Sequence, residues 1–310
     1  MSLLRSFVLT QVMSSRNQTL IRNRSLLPTL TLAIDVGNSR IKFGLFEPAP
    51  HGTSTTTLPD CVTSTAVPSD ELIPWEKIAA LVDEHAATIS SAVVAGPKPA
   101  GVEMLLATWP VRLWPQPRVV RGASELPLRI SVEFPDKVGI DRLLNAVAAN
   151  LLRPADRAAI VVSAGTATTI DLVTADGTFA GGAILPGVEL GARALHQYTA
   201  LLPLIDVPDL RQQNVSPLGR DTRAAISSGL WFGQLGAIRE IVTRLSAIAT
   251  APPMILVTGG NGQRLATGLG PEFRFESHLA LRGLATVADA ASVGGSTIGQ
   301  HPKLSVPSAT

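Results

Sequence analysis

Two short segments of the chain end an apolar run in a glycine turn bearing polar side chains. The first is Asp35-Val36-Gly37-Asn38-Ser39 after Leu32-Ala33-Ile34, followed by Arg40, Ile41 and Lys42. The second is Ser163-Ala164-Gly165-Thr166 after Ala159-Ile160-Val161-Val162. A glycine at the end of a strand lets backbone N–H groups approach phosphate oxygens, and a neighbouring hydroxyl or amide adds donors. Two such turns point to two halves closing on one nucleotide. Asp35 either folds back on its own turn or holds a magnesium ion while the turn binds phosphate.

A third segment, Gly139-Ile140-Asp141-Arg142, precedes the apolar positions Leu143, Leu144, Ala146, Val147, Ala149 and Leu151. Asp141 there fits an acid at a helix N-terminus. It equally fits a general base that takes a proton from a hydroxyl while Arg142 orients an anionic group. Asp171, after Thr168-Thr169-Ile170, either occupies the polar side of a strand or orients the second turn. Gly182, Pro186 and Gly187 fit turn formers, Thr199 fits a helix end, and His196 has no visible partner.

These residues need strands and helices to hold them. Period-two apolar residues around the first turn (Leu32 to Ile34, then Ile41, Phe43 and Leu45) predict a β-hairpin with functional side chains at its tip. Further strands are expected over 61–68 and 91–95, with a helix over 75–85 between them and a turn over 95–99. A helix follows Gly139, and a second hairpin joins 159–162 to 169–173. A long helix over 222–248, a strand over 254–257 and Gly259-Gly260 complete the pattern. The alternation predicts an α/β protein with mixed sheets. The pattern restarts near 153–156, giving lobes at 30–154 and 155–293, a disordered extension over 1–29 and a flexible tail over 294–310.

Composition narrows the function classes. With 45% hydrophobic and 16% charged residues among 310, the chain can build large cores. A net charge of +2, without basic blocks interleaved with aromatics, argues against a nucleic-acid partner. One cysteine, Cys61, leaves no disulfide framework and no cysteine-built zinc site. No stretch is long and apolar enough for a membrane span, and the N-terminus lacks the apolar core of a signal peptide, so the expected location is the cytoplasm.

Taken together, the segments resemble type III pantothenate kinases, a family of the actin-like superfamily. The matching pieces are Asp35 to Lys42, Gly139 to Arg142, Ser163 to Asp171, Gly181 to Gly187, Thr199 to Pro203, Gly219 to Thr222, Ser228-Gly229 and Thr258 to Gly260. They run in the family's order from about Leu30 to about Ala290.

The resemblance implies two actin-like (ribonuclease H-like) lobes with five-stranded mixed sheets flanked by helices, a nucleotide cleft between them, and a homodimer. It implies transfer of the γ-phosphoryl group of ATP to pantothenate, the first step of coenzyme A synthesis, with Mg²⁺ near Asp35. Asp35 to Lys42, Gly165 and Thr166 would contact ATP, and Asp141 would accept the proton. Gly139, Ile140, Asp141 and Arg142 would line the pantothenate side together with Thr199, which a neighbouring subunit would supply in the family's dimers. The other reading of the same pattern is a nucleotide-binding regulatory protein with little turnover. Two positions depart from the family. Ser163 stands where an aspartate usually helps bind potassium or ammonium, offering a neutral oxygen without the charge. Val132 stands where a tyrosine is common on the substrate side.

Overall fold

The computed structural model describes residues 27–48, 57–205 and 215–293. The expected extension up to residue 26 and the tail from residue 294 lie outside the described residues. The first sheet contains β1 (Thr29–Val36), β2 (Arg40–Phe46), β3 (Cys61–Pro68), β4 (Thr88–Ala95) and β5 (Arg118–Val119), in the order β3-β2-β1-β4-β5. The second contains β6 (Arg129–Ile130), β7 (Ala159–Ala164), β8 (Ala167–Val173), β9 (Thr178–Pro186), β10 (Met254–Thr258) and β11 (Phe273–Phe275), in the order β11-β10-β7-β8-β9-β6.

Read from β9 to β11, the second sheet repeats the first: third, second, first, fourth and fifth strand. The first three strands of each set are antiparallel, and the fourth and fifth join in parallel. This duplicated topology is that of two actin-like lobes. The second sheet differs from the expected five strands by β6, whose two residues add to the edge of β9 in parallel. Two residues carry too little periodicity to be read from sequence.

Helices cover both faces of each sheet. On the outer face of the first sheet, α1 (Trp75–Glu84) and α2 (Pro99–Ala107) bury Ile78, Val82 and Leu105 against Ile34, Phe43 and Val94. Trp75, Trp109 and Trp114 pack edge-on or tilted in that core, with ring centroids 5.3–6.0 Å apart. On the outer face of the second sheet, α5 (Thr222–Ser246) and α6 (Gly262–Leu269) bury Leu235, Ile238 and Leu265 against Ile160 and Ile170. Asp221 caps α5, its side chain accepting from the Ala224 amide at 2.9 Å. In the second half α4 (Val188–Gln197) packs on β9 and α5.

Between the sheets lie α3 (Ile140–Leu152) and α7 (Leu279–Val293). α3 packs on β7 and β8, whereas α7 returns to β1, β2 and β4. One core therefore joins Ala33, Val93 and Ala95 of the first sheet to Val161, Val173 and Phe179 of the second through both helices. The two helices meet at Gly283, where a Cβ would lie 2.1 Å from the Leu144 carbonyl oxygen. Gly283→Ala is expected to lower the unfolding free energy by about 1–3 kcal/mol through overpacking, read as a fall in thermal midpoint. No helix among the described residues is long and apolar enough to cross a membrane.

Candidate active site

Asp35 lies at the end of β1, 2% exposed. Its Oδ2 accepts from Lys42 Nζ at 2.9 Å, directly across the β1–β2 pair. Its Oδ1 is buried without a hydrogen-bond partner. Leaving a buried carboxylate oxygen unpaired is costly, so this atom suits a metal ion or a metal-bound water. Burial by itself pulls the Lys42 pKa down, but the charge and hydrogen bond of Asp35, helped by the charge of Asp141, hold it above the ordinary lysine value.

The first turn is fixed from outside its hairpin. The Gly37 amide closes the turn on the Arg40 carbonyl at 3.0 Å, and the Ser69 amide donates to the Ser39 carbonyl at 3.1 Å. Ser69 Oγ donates to the Asn38 carbonyl at 2.6 Å. Ser69, some thirty residues away, carried no signal in the sequence. In the second turn the Gly165 amide bonds the Ala167 carbonyl at 3.1 Å, and the Gly187 amide bonds the Thr166 carbonyl at 3.0 Å. Both turn glycines thus spend their N–H groups internally. The amides of Asn38, Ser39 and Thr166 have no backbone partner among the described residues and are the ones left for an anion.

The two turns touch. Ser39 Oγ and Thr166 Oγ1 share a hydrogen bond at 2.8 Å across the two sheets. Gly187 lies beneath the second turn, where a Cβ would fall 2.4 Å from the Thr166 carbonyl oxygen. Of the three residues that read as turn formers, Gly182 and Pro186 belong to strand β9, and Gly187 follows it. Val36 and Ile41 are fully buried and serve the outer core of the first sheet, so within Asp35 to Lys42 the ligand-facing chemistry falls to Asp35, Lys42 and the turn.

Asp141 occupies the first turn of α3, whose N-cap is Gly139. The Arg142 amide donates to the Gly139 carbonyl at 3.0 Å, and the Asp141 carboxylate lies in the first turn, at the positive end of the helix. A Cβ at Gly139 would lie 2.6 Å from Asp141 Oδ1, which ties this glycine to the carboxylate's position. Burial, the largest influence, and the negative charge of Asp35 push the Asp141 carboxyl above its ordinary range, against the pull of the Arg142 amide and of Lys42. Ile140 is buried in the shared core.

Arg142 is held by Asp171 rather than left free. Its Nε donates to Asp171 Oδ1 and Oδ2 at 3.1 and 3.2 Å, and its Nη2 also bonds Oδ1. The Phe179 ring lies 5.6 Å from the guanidinium carbon. Asp171 thus orients Arg142 instead of the second turn, and Nη1 is the one guanidinium nitrogen outside the pair. Burial raises the Asp171 pKa, while the hydrogen bonds and charge of Arg142 oppose it.

The other expected positions are placed as follows. Val132 is partly buried against the shared core, 3.4 Å from where a Gly181 Cβ would be. Thr199 follows the end of α4 and donates to the Leu195 carbonyl at 2.6 Å, as a helix-end residue does. His196 does have a partner: its Nδ1 pairs with the Leu202 carbonyl at 2.9 Å. Ser163 is half-buried near the end of β7.

The sequence profile of the type III pantothenate kinases matches residues 31–244. The type III pantothenate kinase of Rhodospirillum centenum is 35% identical over 273 residues, spanning 83% of this chain and 97% of that one. That of Paramagnetospirillum magneticum is 34% identical over 260 residues, spanning 83% and 96%. In three dimensions the chain is similar to a solved structure from Campylobacter jejuni, described as a Baf family transcriptional activator. Its TM-score is 0.51 at 19% identity, covering 85% of this chain and 98% of that one. At that identity the likeness concerns the fold alone.

Proposed function

We propose, for a chain that belongs to the type III pantothenate kinase family, that Asp141 is the base of an ATP-dependent phosphoryl transfer to pantothenate. Membership makes the chain a kinase that uses ATP and pantothenate, so what is proposed is the division of labour among its residues. The observation that carries it is the meeting of the two turns at Ser39 and Thr166, with Asp35 and Lys42 near enough for their charges to act on Asp141.

In this mechanism the free amides of Asn38, Ser39 and Thr166 bind phosphate oxygens, and Lys42 adds positive charge beside them. Asp35, with its unpaired Oδ1, is the residue that would hold Mg²⁺, which when bound neutralises phosphate charge. Asp141 takes the proton from the primary hydroxyl of pantothenate as that oxygen attacks the γ-phosphorus, and ADP leaves. The carboxyl's raised pKa suits it to this exchange. Arg142, fixed by Asp171, directs Nη1 toward the carboxylate of pantothenate or its approach path.

The chain is further proposed to act as a homodimer in the cytoplasm. Tyr198 and Leu201, on either side of Thr199, are 80% and 90% exposed, an apolar surface that a second copy would cover while bringing Thr199 to its partner's pantothenate.

The test is ADP release from ATP and Mg²⁺ with and without pantothenate. Release that requires pantothenate supports the reading, and ATP binding without release opposes it. The pH dependence carries a second expectation. The base must be ionised, and its pKa is raised, so kcat rises with pH through a limb above the ordinary carboxylate value of about 4. Lys42→Met removes a cation that favours the ionised form, so the limb moves to higher pH. A limb that stays in place would separate Lys42 from Asp141.

A further inference from the structure

A row of hydroxyls crosses the second sheet at the base of the second turn. Thr258 of β10 pairs with Ser163 of β7, and Ser163 pairs with Thr169 of β8. Directly paired residues on neighbouring strands point to one face. Here that face is the one toward α3, because Val161 and Leu256, two positions earlier on β7 and β10, belong to the core shared with that helix. Asp171, two residues along β8 on the same face, binds Arg142 of α3. Thr258 and Thr169 are 4% and 9% exposed, and Ser163 between them is the more open.

The family resemblance brings a potassium or ammonium ion to this place through an aspartate where Ser163 stands. The donor set present lacks the charge that this aspartate brings to the ion. Thr258, Ser163 and Thr169 are all neutral. Asp171, the one carboxylate of β7, β8 and β10, has both oxygens on the Arg142 guanidinium. A carboxylate repels phosphate and needs a cation between them. A hydroxyl can donate its own hydrogen to a phosphate oxygen.

We propose that Ser163, backed by Thr169 and Thr258, binds a phosphate oxygen of ATP directly through its hydroxyl, and that the chain transfers the phosphoryl group without a monovalent cation. The inference rests on the kinase reading above for its catalytic half, while its binding half stands on nucleotide affinity alone.

Two quantities test it in buffers containing tetramethylammonium, potassium or ammonium: calorimetric binding of a non-hydrolysable ATP analogue with Mg²⁺, and pantothenate-dependent ADP release. For the natural chain both change less than about twofold among the three buffers. Ser163→Ala weakens analogue binding about threefold to tenfold, equally in each buffer. Ser163→Asp makes binding and turnover depend on potassium or ammonium. Activation of the natural chain by either ion by about tenfold or more overturns the proposal, as does unchanged analogue affinity in Ser163→Ala. If no ADP is released in any buffer the kinase reading fails, and the binding results still decide the role of Ser163.

Discussion

Asp141→Asn is expected to lower turnover by about 10²- to 10⁴-fold while nucleotide affinity stays close to that of the natural chain. The substitution keeps the shape of the side chain and removes its charge and its ability to accept a proton. Its effect on stability has the opposite sign. The Asp141 pKa is raised in the folded chain, so ionising the carboxyl costs stability as pH rises from about 4 through the folded value, and the cost persists at neutral pH. Asparagine removes that cost. Thermal melts should therefore find the variant at least as stable as the natural chain at neutral pH, with the advantage gone below about pH 4. A large loss of turnover accompanied by a large loss of stability would mean that the acid is chiefly structural.

Asp171→Ala is expected to cost about 3 kcal/mol of stability, because it strands the guanidinium of Arg142 in a nearly enclosed place. The Arg142 side chain is 14% exposed and that of Asp171 2%, so water replaces the lost partner poorly. The same change should raise KM for pantothenate with little effect on ATP affinity, since Arg142 loses its fixed direction and the two turns are untouched. Adding Arg142→Ala should recover part of the stability, as expected for residues coupled in one pair. Full additivity in that cycle would dissolve the pair as a unit.

The hairpins β1–β2 and β7–β8 were legible because in each an apolar run is broken by a glycine turn, and α3 because its apolar spacing starts beside an acid in the first turn. Other elements hid for physical reasons. β9 places Gly181 and Gly182 mid-strand and buries only alternate residues weakly, so its composition reads as turns. α2 begins directly at Pro99, inside what reads as a Gly-Pro turn. α7 is apolar on several faces because it lies between two lobes, which erases the one-sided stripe that marks a surface helix.

At the site, residue types that do chemistry could be picked out within each motif, but their partners could not. Arg142 and Asp171 lie 29 positions apart, Ser39 and Thr166 127 apart, and Ser69 and Asn38 31 apart. Only the folded topology brings these together. Of the two readings of Asp171, the one that ties it to the second turn misses its partner for that reason: along the chain it follows the turn, whereas across the sheet it faces Arg142 of α3.

The central claim is that this chain moves the γ-phosphoryl group of ATP onto the primary hydroxyl of pantothenate with Asp141 as base. The most direct measurement follows γ-labelled ATP and pantothenate by chromatography, for the natural chain and for Asp141→Asn. Label recovered in 4′-phosphopantothenate with the natural chain, and nearly absent with the variant, is the result expected. Label released only as inorganic phosphate, or transferred equally well by the variant, would contradict it.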